Sequence, residues 1–224
     1  MLATVISFCT NDYRFLKSCI DGVSSFSSQI VIPVCDHFFD GTLENLALLE
    51  KIYSDYPGVQ FIEFAFDSEQ LYGTFAKREP QSQEWGNHWH NTGRLIASYF
   101  INQEVEHLLF CDVDEVFDQK KMGSWLKEFD WRAYQAVRFS TYWYFRDACF
   151  QALSTPDGPL LLKKEIAEPK LLLHEDERMG IFLSIQGKKE RLMHGLDGKP
   201  MVHHYSWVKT KFGFMTLKQM KRDS

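Results

Sequence analysis

Asp112 and Asp114 stand two residues apart at the end of an uninterrupted apolar run, Leu108-Leu109-Phe110-Cys111. On an extended backbone, carboxylates at that spacing share one side, while Glu115 points away unless the chain turns. Hard oxygen ligands on one side, with room left for water and phosphate oxygens, suit Mg2+ or Mn2+ better than zinc. A bare D-x-D pair arises by chance in acidic proteins, so its weight comes from its place directly after a buried strand. Two earlier apolar runs end in the same way. Val5-Ile6-Ser7-Phe8-Cys9 leads into Thr10-Asn11-Asp12, and Ile30-Val31-Ile32-Pro33-Val34-Cys35 leads into Asp36. Acids from distant parts of the chain, gathered at one rim, repel one another unless a cation joins them.

The elements that must position these groups follow from the pattern of apolar residues. Continuous apolar runs, rather than strict alternation, mark parallel strands covered on both faces. Between them, Phe15, Leu16, Cys19, Ile20 and Val23 fall on one helical face behind Asn11 and Asp12 as caps. A second helix, capped by Thr42, runs through Leu43, Leu46, Leu49 and Tyr53 to the Pro57-Gly58 stop, and Val59 to Phe66 alternates as a strand. Residues 67 to 89 read as a polar, aromatic loop, with Trp85, His88 and Trp89 in a mobile segment covering the substrate. His90 to Glu104 then has amphipathic helical spacing. Strand alternating with helix predicts an α/β domain with a central, mostly parallel sheet flanked by helices, and ligands in such sheets bind outside the carboxyl ends of the strands. Past residue 118 the expectations are a helix near Lys120 to Phe129, a strand region from Trp131 to Phe145, and strand-like runs at Leu160 to Leu162 and Ile181 to Ser184. A tail helix over Lys211 to Arg222 presents Lys218, Lys221 and Arg222, a face suited to solvent or to peripheral contact with an anionic membrane. The whole chain reads as one domain, with residues 1–117 as a nucleotide-binding half and 118–224 as an acceptor-side half.

Composition narrows the class. At 224 residues, 45% hydrophobic and 25% charged, the chain can bury a core without disulfides or a structural metal. A net charge of −5 argues against a nucleic-acid binder, which needs a positive face. The five cysteines form no C-x-x-C pair, which fits a reducing compartment, and the absence of a signal-like leader makes cytoplasmic the expected location. Aromatic residues reach 15%, and Trp85, Trp89, Trp143 and Trp207 lie near polar clusters, as walls for sugar rings or bases do.

Phe110-Cys111-Asp112-Val113-Asp114-Glu115-Val116-Phe117 resembles the D-x-D segment of nucleotide-sugar glycosyltransferases of the A-type (GT-A, Rossmann-like) fold, especially the family-2-like bacterial branch. Four further segments agree in order. Phe8 to Asp12 resembles the first strand end, and Cys35-Asp36 through Phe39-Asp40-Gly41-Thr42 resembles the second with its D-G-T turn. Asn91-Thr92-Gly93-Arg94 resembles the N-x-G-R helix start, and Val202-His203-His204-Tyr205-Ser206-Trp207-Val208 resembles the carboxy-terminal H-Y-S-W-V segment.

The resemblance implies a metal-dependent transferase moving a sugar from a nucleoside-diphosphate sugar to an acceptor hydroxyl, on a glycan. Thr10, Asn11, Asp12 and Asp36 then hold the nucleotide, Arg94 the diphosphate, and Asp112 the ribose or sugar. Asp112, Asp114 and one histidine hold Mn2+ or Mg2+. An arginine at a helix amino end beside phosphate adds to the positive end of the helix dipole. His203 and His204 point oppositely on a strand, so only one can join Asp114; His204 abuts the family-like Tyr205-Ser206-Trp207 and is the choice. Uridine is favoured as the base because Asp36 can accept the imide N–H of uracil. An inverting enzyme needs a carboxylate base, and Asp176 and Glu177 in His174-Glu175-Asp176-Glu177-Arg178 resemble the segment that supplies it. A solvated acidic turn is the bland account of the same run. His194 with Gly198-Lys199-Pro200 resembles a segment of retaining relatives, which would need no such base. His88 and His90 form a His-x-His without a third zinc ligand at matching spacing. The rivals are a sugar-1-phosphate nucleotidyltransferase, which Cys9 to Arg14 does not favour because it has no glycine to cradle a triphosphate, and a non-catalytic glycan-binding domain.

Overall fold

The computed structural model describes residues 1–38, 41–66, 83–146 and 148–208. Among these residues, nine strands form one curled sheet. Strands β1 (Leu2–Ser7), β2 (Gln29–Cys35), β3 (Gln60–Phe64) and β4 (His107–Asp112) are mutually parallel. Three further strands are β5 (Glu115–Phe117), β6 (Ala136–Arg146) and β7 (Asp157–Lys163). With β8 (Lys189–Met193) and β9 (Val202–Val208), the order is β3-β2-β1-β4-β7-β6-β9-β5, with β8 beside β6. The chain builds outward from β1 through β2 to β3, then returns to place β4 on the other side of β1. That reversal opens a crevice at the carboxyl ends of β1 and β4.

Side-chain alternation explains the continuous apolar runs. In β4, Leu109 and Cys111 enter one core with Ile6, Leu16, Cys19 and Trp125, while Leu108 and Phe110 enter the other with Val5, Val31, Leu160 and Ile181. Helices α1 (Tyr13–Ser24), α2 (Leu46–Asp55) and α4 (Gln119–Glu128) supply the first core. Helices α3 (Gln83–Ser98), α5 (Pro169–Leu172) and α6 (Glu177–Ser184) supply the second. Gly22 allows α1 to lie close to β5, since a Cβ there would sit 2.9 Å from the Phe117 carbonyl oxygen.

Several boundaries differ from those expected. Helix α2 begins at Leu46, capped by Asn45 through a 3.1 Å bond from the Leu48 amide, and not at Thr42. Residues 10–12 form a 3-10 turn, and Asp12 precedes α1 without a side-chain cap bond. Residues 131–133 are likewise a 3-10 turn, and the strand starts at Ala136. Ile181 to Ser184 lies in α6, where Ile181 and Phe182 are buried; a four-residue apolar run carries no period that separates helix from strand.

The largest correction concerns residues 83–89, which are the first turns of α3 rather than part of a mobile loop. Trp85, His88 and Trp89, spaced i, i+3, i+4, are buried along one face. The remainder of that expected loop, residues 67–82, lies outside the described residues, as do Phe39-Asp40 and the tail helix expected over 211–222. Among the described residues, no helix is long and apolar enough to cross a membrane.

Candidate active site

Asp112 is the last residue of β4. The chain turns at once through Val113 and Asp114, so strand alternation does not govern these acids. The turn is tied down on three sides. The Val113 amide donates to the Ser7 carbonyl at 3.0 Å, and the Tyr205 amide to the Asp114 carbonyl at 3.0 Å. Glu115, swung back by the turn, accepts the Asp112 amide on Oε2 at 2.8 Å.

Two arginines enter this group from the helices of the second core. Arg94 Nη2 donates to Asp112 Oδ1 at 3.1 Å and to Glu177 Oε1 at 2.6 Å. Arg178 donates through Nη2 to Asp112 Oδ2 at 2.7 Å and through Nη1 to Glu115 Oε2 at 2.6 Å. Burial alone would raise the Asp112 carboxyl, but Arg178 and then Arg94 hold it well below the ordinary carboxylate range. Glu177 is lowered too, with burial outweighed by Arg94 and Arg178. Arg94 has no exposed surface and sits well inside α3, not at its amino end as the sequence suggests. The helix-dipole argument for it therefore does not apply. Polar side chains along α3 fasten the segment that carries Glu177: Asn87 Nδ2 donates to the Glu175 carbonyl at 3.0 Å and Asn91 Nδ2 to the His174 carbonyl at 2.6 Å. Glu177 itself holds φ 54°, a left-handed conformation that costs a non-glycine residue about 1–3 kcal/mol and persists only where surrounding contacts fix it.

Of the two candidate bases, Glu177 reaches Asp112 through the shared Arg94, whereas Asp176 is exposed at the start of α6. His90, Asp112 and Glu177 offer ligand atoms within 4.8 Å of one another. The Arg94 guanidinium already bridges the two carboxylates of that trio, so a metal ion there would face a fixed positive charge.

Asp114 is the contrasting acid. It is 8% exposed and receives no arginine among the described contacts. Burial first, and then Asp112, Glu115 and Asp12, push its carboxyl up to about 8. His204 Nε2 lies 3.6 Å from its Oδ2. Strand alternation divides the two histidines as expected: His203 turns away and shares a 2.7 Å hydrogen bond with the Tyr144 hydroxyl through Nδ1. The crevice thus gathers Asp12, Asp112, Asp114, Glu115 and Glu177 against Arg94 and Arg178. Asp114 is thus the acid of this group that no arginine contacts among the described residues, and it lies beside the His204 imidazole. A carboxyl oxygen and an imidazole nitrogen side by side fit a divalent cation, whose charge would draw the proton from Asp114.

Two of the residues expected at the nucleotide, Thr10 and Asp36, form a second group around Glu44, which no sequence signal marked. Thr10 donates its amide to Glu44 Oε1 at 2.9 Å and its hydroxyl to Oε2, and the Glu44 amide donates to the Asp36 carbonyl at 3.1 Å. Asp36 Oδ1 accepts the Phe66 amide at 2.7 Å and lies 2.8 Å from His37 Nδ1. Burial raises the Asp36 carboxyl, but these hydrogen bonds leave it below its ordinary value, so it remains an acceptor. A cleft of about 250 Å3 opens beside Asp36, lined by Cys35, Leu46, Glu63 and Phe64. Phe66 continues from it into the aromatic face of α3, with ring centroids 4.6 Å from Trp89 and 5.9 Å from Trp85. Asn11 is exposed, and Asp12 is half-buried, raised by burial and then by Asp112 against the opposing pull of Arg14.

No protein-family model and no curated protein matches the sequence. Solved structures do match in shape. The S. aureus TarS 1-349 structure in complex with UDP aligns with a TM-score of 0.53 at 10% identity, covering 92% of this chain and 60% of that one. The 4-diphosphocytidyl-2C-methyl-D-erythritol synthase from Anaerococcus prevotii gives 0.48 at 11% identity, covering 99% and 95%. The glycosyltransferase GlyE of Streptococcus pneumoniae gives 0.45 at 14% identity, covering 100% and 60%. The likeness to TarS concerns architecture, and it places this chain among the GT-A-like, Rossmann-like α/β folds.

Proposed function

We propose that this protein is a metal-dependent glycosyltransferase that moves a sugar from a nucleoside-diphosphate donor, UDP-linked for preference, to an acceptor hydroxyl on a glycan. The observation that carries the reading is the acid cluster at the β1–β4 crevice, where Asp114 Oδ2 lies 3.6 Å from His204 Nε2 while the neighbouring Asp112 is held by two arginines. Asp114 and His204 would hold Mn2+ or Mg2+, with Asp112 beside them, and an ion held there would supply positive charge for a departing diphosphate.

Thr10, Asn11, Asp12 and Asp36 receive the nucleoside, and the ionised Asp36 presents an acceptor for an imide N–H. Because Arg94 is fully enclosed, it serves the diphosphate from behind, by holding Asp112 and Glu177 and adding positive potential. A carboxylate locked to guanidinium groups is a weak base, so Glu177 fits this holding role, and the exposed Asp176 is the better candidate to take the acceptor proton. The fold of the UDP-bound TarS structure supports the nucleotide half of the reading.

The test is a melting-temperature panel of UDP, GDP, ADP and CDP, each with Mn2+ and with chelator. A ligand at about 100 times its Kd adds roughly 2.7 kcal/mol, or about 5–11 °C for a domain of this size. The expected result is a UDP shift that needs Mn2+. A GDP shift without a UDP shift would overturn the base assignment, and no shift with any nucleotide would overturn the transferase reading.

A further inference from the structure

Glu115 is a carboxylate with no exposed surface. Its Oε2 accepts from the Asp112 amide at 2.8 Å and from Arg178 Nη1 at 2.6 Å, and Nη2 of the same guanidinium reaches Asp112 Oδ2 at 2.7 Å. A closed ring of contacts therefore holds Asp112 by its backbone and its side chain together. The space for Glu115 exists because residue 158 is glycine: a Cβ there would lie 2.7 Å from Glu115 Oε1 and 2.5 Å from Thr141 Cγ2. From the α1 side, the Cys19 thiol reaches the carbonyls of Asp112 and Glu115 at 3.9 and 3.7 Å. Buried ion pairs are poor devices for stability alone, since well-packed apolar replacements often serve as well. The geometry here gives the pair another task.

We propose that Glu115 and Arg178 are positioning residues that fix the Asp112–Asp114 turn, so that Asp114 stays aimed at His204 whether or not a ligand is bound. The assignment of this turn to donor and metal rests on the function proposed above. A planar guanidinium can serve both carboxylates at once, whereas a lysine ammonium cannot reproduce that fork.

The experiment uses the full chain and the variants Glu115→Gln, Glu115→Ala and Arg178→Lys. Mn2+ is titrated by electron paramagnetic resonance in the presence of UDP, and exchange of the Asp112 amide hydrogen is followed by NMR. Glu115→Gln keeps an oxygen acceptor and should retain Asp112 protection, while Glu115→Ala should speed its exchange by at least about tenfold, one hydrogen bond's worth. Glu115→Ala and Arg178→Lys should each weaken Mn2+ binding by about 10–100-fold, the scale for losing a partner behind a ligand. If Glu115→Ala does not fold, Arg178→Lys, which keeps the charge, carries the affinity test. Lowered melting temperatures with unchanged Mn2+ affinity and unchanged Asp112 exchange would overturn the proposal. Absence of Mn2+–UDP binding to the wild type would instead overturn the donor reading, and Asp112 exchange would still decide whether the pair fixes the turn.

Discussion

Replacing Asp114 by asparagine should make the ligand-free protein more stable while removing its ability to hold a metal. In the native state the Asp114 carboxyl is pushed from 3.8 up to about 8, first by burial and then by Asp112, Glu115 and Asp12. An unfolded chain releases that proton near its ordinary value. Between these limits the native state binds one more proton than the unfolded state, so stability falls as pH rises and the loss is complete above about 8. At about 1.4 kcal/mol per pH unit, the full penalty is on the order of 5 kcal/mol. Asparagine fills the same space and never ionises. The gap between variant and wild type should therefore be near zero around pH 4 and widen steadily up to about pH 8. Even half of that penalty corresponds to a melting-temperature gain of roughly 5–10 °C for a domain of this size. The assay is thermal unfolding of both proteins in chelator from pH 4.5 to 8.5, repeated with UDP and Mn2+, where wild type should gain stability and the variant should not. A variant no more stable than wild type at pH 8, or a difference that does not change with pH, would refute the reasoning.

The two histidines should separate cleanly: His204→Ala should weaken Mn2+-dependent UDP binding at least tenfold, while His203→Ala should leave binding intact and cost about 1 kcal/mol for its hydrogen bond with Tyr144, read by titration and by denaturant unfolding. Equal loss of binding in both would mean that neither ring is a ligand. Gly180→Ala should lose several kcal/mol or fail to fold, because its Cβ would overlap the His174 ring that the α5–α6 turn packs against α6. A change below about 0.5 kcal/mol in urea unfolding would show that the turn moves freely.

The amino-terminal strands and their polar ends were legible in the sequence because the signal is local. Uninterrupted apolar runs such as Leu108 to Cys111 arise where both faces of a strand are covered, and the residues just after them must lie at one rim. The opposite directions of His203 and His204 follow equally from a period of two. Helix α3 was half hidden because its first turns bury Trp85, His88 and Trp89, types that also line loops and binding walls. What each acid does was beyond the sequence. Asp112 and Asp114 are the same residue type two positions apart, yet one is held ionised by arginines from α3 and α6 while the other, which no arginine contacts among the described residues, has its carboxyl pushed up to about 8 by burial and by its acidic neighbours. Charge on a carboxyl depends on desolvation and on neighbours within a few ångströms, and those neighbours come from elements 18 and 66 residues away in the chain. Glu44 and Glu115 show the same limit: Glu44 lies in no motif and Glu115 beside one that gives it no task, and each meets its partner, Thr10 or Arg178, only when the chain folds.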